Sequence, residues 1–245
     1  MRIERVGSLH FVQTNHVNWV IDDHPDGVVL IDSGYVGQRA ELIASLHALG
    51  RAPEDVRAVL ITHAHADHIG GAAWLAKEHG TPVYAPPGEV AHIHREHIQQ
   101  VTPLSIVRKA ARPGVIAWAA SIAPLLGGDP ALAVPSATAA PSDDGLVQVP
   151  GTPRLIALPG HTSGHAAYLY EESGVVVTGD ALVTGHRTSR RSGPQLLPSM
   201  FHHDLPRASE SLGRLPELDA TTMMPGHGPS WTGSLRHAVE IARRP

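Results

Sequence analysis

The stretch Thr62-His63-Ala64-His65-Ala66-Asp67-His68 decides how this chain is read. It continues the apolar run at 58–61 (AVLI), which reads as a strand ending at Thr62. Side chains two positions apart on an extended segment project to the same side, so His63 and His65 can share one metal ion. The chain then turns into a helical pattern at 70–79, and Asp67 and His68 can face a second ion nearby. Capping of that helix would account for Asp67. It would not account for three histidines in six residues. The whole chain holds 18 histidines, so position and not number has to select the ligands.

Outward from this segment, short strands alternate with helices. Residues 9–12, 18–21 and 28–32 read as strands. A helix is expected at 37–49, with Leu42, Ile43, Leu46 and Leu49 on its apolar side and Gly50 as its stop. Residues 82–85 form a further strand. Residues 88–128 carry helical pattern broken by Pro103, Pro113 and Pro124, and 131–145 (ALAVPSATAAPSDDG) is a low-complexity connector. The block 88–145 is therefore expected to be a mostly helical insertion or lid within one domain spanning 1–245. Strand character returns at 155–158, 166–170, 175–178 and 222–224, with helices at 205–215 and 233–243. This order predicts an α/β fold: two sheets face to face with helices outside, a four-layer αβ/βα sandwich.

The totals narrow the function. A chain of 245 residues can bury a large core without staples, and it contains no cysteine, so thiolate metal sites and disulfides are excluded. No apolar run approaches the length of a membrane span, and the first residues lack the pattern of a signal peptide, so the cytoplasm is the expected location. A formal net charge of −4 and only 4% aromatic residues argue against nucleic acid and for a small-molecule substrate.

Three more histidine and aspartate loops follow predicted strands. They are Pro159-Gly160-His161-Thr162-Ser163-Gly164-His165, Thr178-Gly179-Asp180 and Pro225-Gly226-His227-Gly228. Each alone is an ordinary turn. Together with the first segment they put seven N/O ligands at strand ends, where active-site loops of α/β proteins collect. In order, LIDSG (30–34), THAHADH (62–68), PGHTSGH (159–165), TGD (178–180) and PGHG (225–228) are similar to the five motifs of the metallo-β-lactamase-fold superfamily, in its glyoxalase II-like and lactonase-like branches. The resemblance implies that His63, His65 and His161 hold a first metal, that Asp67, His68 and His227 hold a second, and that Asp180 bridges them. It also implies that Asp32 lies beneath the site and orients the histidine loop.

The ligand set implies two divalent ions, zinc first, with manganese or iron as the other candidates, since no thiolate selects among them. Two ions about 3.5–4 Å apart can share a hydroxide and lower the pKa of water toward about 7. Asp67 would orient that nucleophile and take its proton. The reaction expected first is hydrolysis of an activated acyl bond: thioester, ester or lactone. A phosphodiesterase, a mononuclear iron dioxygenase using His63, His161 and Asp180, and a non-catalytic metal sensor are the other readings.

Two departures separate the chain from named branches. Only 18 residues follow His227, where glyoxalase II proteins carry a helical glutathione-binding tail, so a glutathione thioester is not the substrate expected first, and Ala181-Leu182-Val183 stands where lactonases place a tyrosine. His165 is expected behind the ligands, fixing its loop. His186 and Arg187 open a basic loop, His186 to Arg191, that either grips a substrate anion or is simply solvated. His202 and His203 read as surface residues. The apolar segment 115–126 reads as a helix packed on the core, or as a lid over a greasy pocket, or as a homodimer contact.

Overall fold

Val28-Val29-Leu30-Ile31 shows how the core is layered. Val28 and Leu30 pack into one apolar cluster and Val29 and Ile31 into another, because alternate side chains of a strand point to opposite faces. All four are fully buried, so this strand is covered on both sides. In the second half, Val176 faces away from Val175 and Val177 in the same manner. The chain is therefore built of two sheets pressed together, each with helices on its outer face. The computed structural model describes residues 1–127 and 132–244.

The first sheet has the order β1 (Arg2–Val6), β2 (Leu9–Gln13), β3 (Trp19–His24), β4 (Gly27–Ile31), β5 (Val56–Leu60), β6 (Val83–Ala85), β7 (Thr138–Ala139). It is antiparallel up to β4 and parallel from β4 to β7. The second sheet runs β8 (Ser142–Asp143), β9 (Leu146–Val147), β10 (Arg154–Ala157), β11 (Ala166–Tyr170), β12 (Val175–Gly179), β13 (Thr222–Pro225), β14 (Trp231–Thr232). Its one parallel pair is β12 with β13. Leu9, Phe11, Val20, Val29 and Leu60 meet Tyr168, Tyr170, Val175, Val177 and Met224 between the sheets.

Helices α1 (Arg39–His47) and α2 (Ala66–His79) cover the outer face of the first sheet through Leu42, Leu46, Ile69, Ala72 and Leu75. The helices α6 (Leu205–Ser211) and α7 (Leu235–Ala242) lie over the second. There Leu235, Ala238, Val239 and Ala242 of α7 share a buried cluster with Leu169, Val176 and Met223. The four-layer α/β sandwich expected from the sequence is the observed fold.

Three details differ. Strand β1 was not expected, because Arg2, Glu4 and Arg5 break its apolar alternation; it is an edge strand, where charge on the rim is ordinary. The helical stretch 88–128 is resolved into short pieces, among them α3 (Val90–Ile93), α4 (Pro103–Lys109) and α5 (Val115–Ile122). Pro103 sits in the first turn of α4, where its missing N–H costs nothing. The connector expected at 131–145 is not loose throughout. It supplies β7 to the first sheet, with Thr138 opposite Tyr84, and β8 to the second, with Ser142 opposite Val147. It is the crossover between the two sheets. Gly128 and Ala131, at the edges of these two segments, lie outside the described residues.

Candidate metal centre

Strands β4, β5, β10, β12 and β13 all end on the same rim of the sandwich, and each is followed within four residues by a polar side chain of the site. Asp32 leaves β4 with a left-handed φ of 61°, which turns its carboxylate back under the rim. It accepts hydrogen bonds from Thr62 N (2.8 Å) and Thr62 Oγ1 (2.7 Å) on one side and from His68 Nδ1 (2.7 Å) on the other. The carboxylate thus holds both ends of the histidine loop.

Seven side chains meet above it. Ligand atoms of His63, His65 and His161 lie within 4.8 Å of one another, as do those of His63, His68 and Asp180 and those of Asp67, His68 and His227. The Asp180 carboxylate lies between the groups: its oxygens are 3.5 Å from His161 Nε2, 3.3 Å from His227 Nε2 and 3.6 Å from His68 Nε2. His65 Nδ1 and His161 Nε2 are 3.0 Å apart. Two nitrogens about 2.0–2.1 Å from one tetrahedral ion sit roughly 3.3 Å apart, so this pair needs little adjustment to share one.

Each imidazole but one has its second nitrogen committed elsewhere. His63 Nδ1 is 3.1 Å from Thr62 Oγ1, and His65 Nε2 donates to Gln99 O (2.5 Å). His68 Nδ1 donates to Asp32, and His227 Nδ1 donates to His16 O (2.7 Å). This leaves His63 Nε2, His68 Nε2 and Asp180 Oδ1 buried without any hydrogen-bond partner. Buried polar atoms are rarely left so, and a cation is the partner this donor set fits.

The two groups differ in charge. Burial and neighbouring imidazoles hold His63 and His161 well below the usual histidine range, and burial takes His65 down to about 4. Burial also opposes protonation of His68 and His227, yet the surrounding carboxylates win. Asp32, Asp67 and Asp180 hold His68 well above its ordinary value, and Asp180 and Asp67 raise His227 to about 10. In return, and against burial, His68 and His227 lower Asp67 to about 2, and the same two imidazoles hold Asp180 well down.

Comparison with known proteins settles the family. The model described as "Metallo-beta-lactamase superfamily" matches residues 13–227. The chain belongs to that superfamily. Along its length it is similar to "Probable metallo-hydrolase YflN" of Bacillus subtilis (strain 168): 28% identical over 240 residues, covering 94% of this chain and 83% of the relative. It is 26% identical over 221 residues to the "Hydroxyacylglutathione hydrolase" of Bdellovibrio bacteriovorus (strain ATCC 15356 / DSM 50701 / NCIMB 9529 / HD100), covering 90% of this chain and 66% of that enzyme. A shorter match, 42% over 57 residues, joins 23% of this chain to 20% of "Exodeoxyribonuclease WalJ" of Streptococcus pneumoniae serotype 2 (strain D39 / NCTC 7466). Among solved structures, a metallo-beta-lactamase family protein from Thermus thermophilus superposes with a TM-score of 0.62 at 24% identity, covering 95% of this chain and 76% of the other.

Further residues surround the seven candidate ligands. His165 is fully buried, and its Nε2 accepts a hydrogen bond from Asp180 N (3.1 Å), so it steadies the backbone of the central carboxylate. Gly226 is required beside it: a Cβ there would lie 2.3 Å from Asp180 Oδ1. The ring of His186 stands 4.9 Å from that of His227, and burial next to His227 lowers its pKa to about 3. Arg187 is exposed beside it. The rest of the basic loop turns elsewhere: Arg191 donates to the carbonyls of Ile241 and Arg244 at the end of α7. His202, expected at the surface, is half-buried, with its ring 5.2 Å from that of His161; His203 is exposed.

His186 and Arg187 line a cavity of about 340 Å³ together with Thr14, His16, Tyr35, Trp118, Ile122 and His227. The apolar segment 115–126 thus contributes Trp118 and Ile122 to a wall next to the ligands, while Ile116 faces outward, 64% exposed.

Two site residues escaped the sequence reading. Tyr35, directly after LIDSG, lines the cavity beside His227; burial and the nearby carboxylates of Asp67 and Asp180 hold its phenol well above the ordinary range, so it stays protonated. Glu89 is fully buried and accepts from Ala64 N (2.8 Å), His92 Nδ1 (2.9 Å), Thr162 Oγ1 (2.6 Å) and Gly164 N (2.9 Å). It ties the THAHADH loop to the PGHTSGH loop. Gln99 completes the tie: its N–H donates to His92 Nε2, its side chain accepts from Ser163 N, and its carbonyl receives His65. An acid and a histidine three apart on a helix, Glu89 and His92, was the available signal.

Proposed function

We propose that this protein is a metal-dependent hydrolase that cleaves an activated acyl bond (thioester, ester or lactone) in a small substrate. The observation that carries this reading is a juxtaposition. The ligand groups open through His227 onto a cavity of about 340 Å³ whose wall joins Trp118 and Ile122 to Tyr35, His186 and Arg187. An apolar wall with a few polar groups suits a small acyl compound. Nucleic acid would call for a run of cationic groups, and Arg187 is the single lysine or arginine among the residues lining this cavity. The similarity along most of the chain to a metallo-hydrolase and a hydroxyacylglutathione hydrolase supports the same reading.

Two divalent ions, zinc in the first instance and manganese or iron otherwise, would be held by His63, His65 and His161 and by Asp67, His68 and His227, with Asp180 between them. Such ions supply Lewis acidity and an activated water. The residues of the chain do the rest. Asp67 takes the proton that the attacking water loses and passes it to the departing group, while the water oxygen ends on the acyl carbon. Trp118 and Ile122 keep bulk water from the acyl carbon. Arg187, exposed at the mouth, grips an anionic end of the substrate.

The test is turnover by zinc- or manganese-loaded protein on acyl thioesters, aryl esters, lactones and a chromogenic phosphodiester, beside Asp67→Ala under the same metal load. Acyl turnover that falls about 10²–10⁴-fold in the variant is expected, the range for loss of a positioned proton acceptor. Phosphodiester turnover without acyl turnover overturns the reading. So does oxygen consumption by an iron-loaded protein that hydrolyses nothing.

A further inference from the structure

The Tyr35 phenol stands at the junction of the cavity and the metal ligands, and no motif assigns it a task. Its ring packs with Val17, Trp118, Ile122 and Phe201, and it lines the cavity beside His227, close enough to Asp67 and Asp180 for both carboxylates to act on it. Its placement relative to Asp67 is rigid, because the LIDSG turn is bonded to the first turns of α2, the helix that carries Asp67. Gly70 N donates to Gly34 O (2.8 Å) and Gly71 N to Ser33 O (3.2 Å). Ser33 Oγ donates to His68 O (2.9 Å) and accepts from Ala72 N (2.8 Å). At Gly70 a Cβ would stand 2.2 Å from the carbonyl carbon of Tyr35, so the two backbones are in direct contact.

We propose that Tyr35 is a catalytic residue: it donates its hydroxyl hydrogen bond to the substrate carbonyl oxygen as negative charge grows there. This rests on the acyl-hydrolase reading. On the same wall Thr14 Oγ1 already donates to Val17 O (2.7 Å), and His186 Nδ1 accepts from Thr188 N (3.2 Å). The charged group acting most strongly on the phenol is Asp67, whose carboxylate is shared with His68 and His227. A donor held next to the reacting carbon by packing needs no reorganisation when charge develops, which is where such donors act most strongly. Tyr35 keeps its proton throughout. The water oxygen bonds to the acyl carbon, the bond to the leaving group breaks, and the leaving group departs with the water's proton by way of Asp67.

The experiment compares wild type with Tyr35→Phe, which fills the same space without the hydroxyl. Metal content and thermal midpoint are measured first, and both are expected to match wild type. On whichever acyl substrate wild type turns over, kcat is expected to fall about 10²-fold with KM within about threefold, the effect of removing one such donor. Binding of a non-hydrolysable phosphonate with the same acyl chain, measured by calorimetry, is expected to weaken by at least tenfold, whereas the substrate-like ketone binds both proteins alike. Unchanged kcat and phosphonate affinity would overturn the assignment. So would a loss that tracks missing metal or appears wholly in KM. If wild type cleaves only the phosphodiester, the acyl reading has failed, and Tyr35 is judged separately by the same kcat ratio on that substrate.

Discussion

The two ligand groups share Asp180 yet are built on opposite electrostatic plans. His63, His65 and His161 form a group of neutral imidazoles, stripped of protons by burial. Asp67, His68 and His227 form a group in which carboxylates keep protons on both imidazoles despite equal burial. The difference comes from neighbours and not from depth. A cation meets no competing proton at the first group near neutral pH. At the second it must displace them, because only neutral imidazole ligates.

The largest effect should come from removing what the groups share. Asp180→Asn leaves the volume but not the charge, and total metal affinity is expected to drop on the order of 10²-fold or more. Metal analysis after dialysis against a weak chelator measures it. Two equivalents retained by the variant would mean that the groups do not depend on a common carboxylate. The next effect separates them. Between pH 8 and pH 6 the second equivalent of zinc should weaken about tenfold per pH unit for each proton displaced, while the first stays nearly constant. Calorimetric titration in buffers of different ionisation heat reads both the affinity and the protons released. Equal pH dependence for the two equivalents would break the contrast.

Smaller effects should fall mainly on one group. Asp32→Asn disturbs the acceptor of the His68 Nδ1 proton and should weaken the second equivalent about 10–100-fold, with a smaller loss at the first, which Asp32 reaches through Thr62 and His63. Asparagine tolerates the left-handed backbone at that position. Glu89→Gln disturbs the tie through Gln99 to His65, so its loss, about tenfold, should appear at the first equivalent. Crossed results would mean the ligands are braced differently. The smallest effect concerns the metal-free protein. Burial takes His65 and His165 from 6.5 to about 4, so between those values the unfolded chain binds protons that the folded chain refuses. Stability from these residues is complete above about pH 6.5 and is lost as pH falls toward 4. Thermal midpoints should decline across that window, and a flat profile would contradict it.

All seven candidate ligands were legible because each sits in a short local pattern near the end of an apolar run. Short continuous apolar runs likewise revealed most interior strands, since both faces of β4 and β12 are apolar. The edges were harder. β1 carries charge where it faces solvent, and β7 and β8 are two residues each, too short for any period to register. Beyond its spacing from His92, nothing local marks Glu89: its partners Ala64 and Gly164 lie 25 and 75 positions away.

By itself, then, the sequence determined which atoms can bind metal and that two sheets carry them, because ligand chemistry and side-chain alternation are local properties. Only the tertiary structure decided which imidazoles are neutral, that Asp32 holds the two ends of the histidine loop while Glu89 ties that loop to the PGHTSGH loop, and that Tyr35 and Trp118 wall one cavity. Those outcomes depend on burial and on distances between segments far apart in the chain, and both come into being only when the two sheets close on each other.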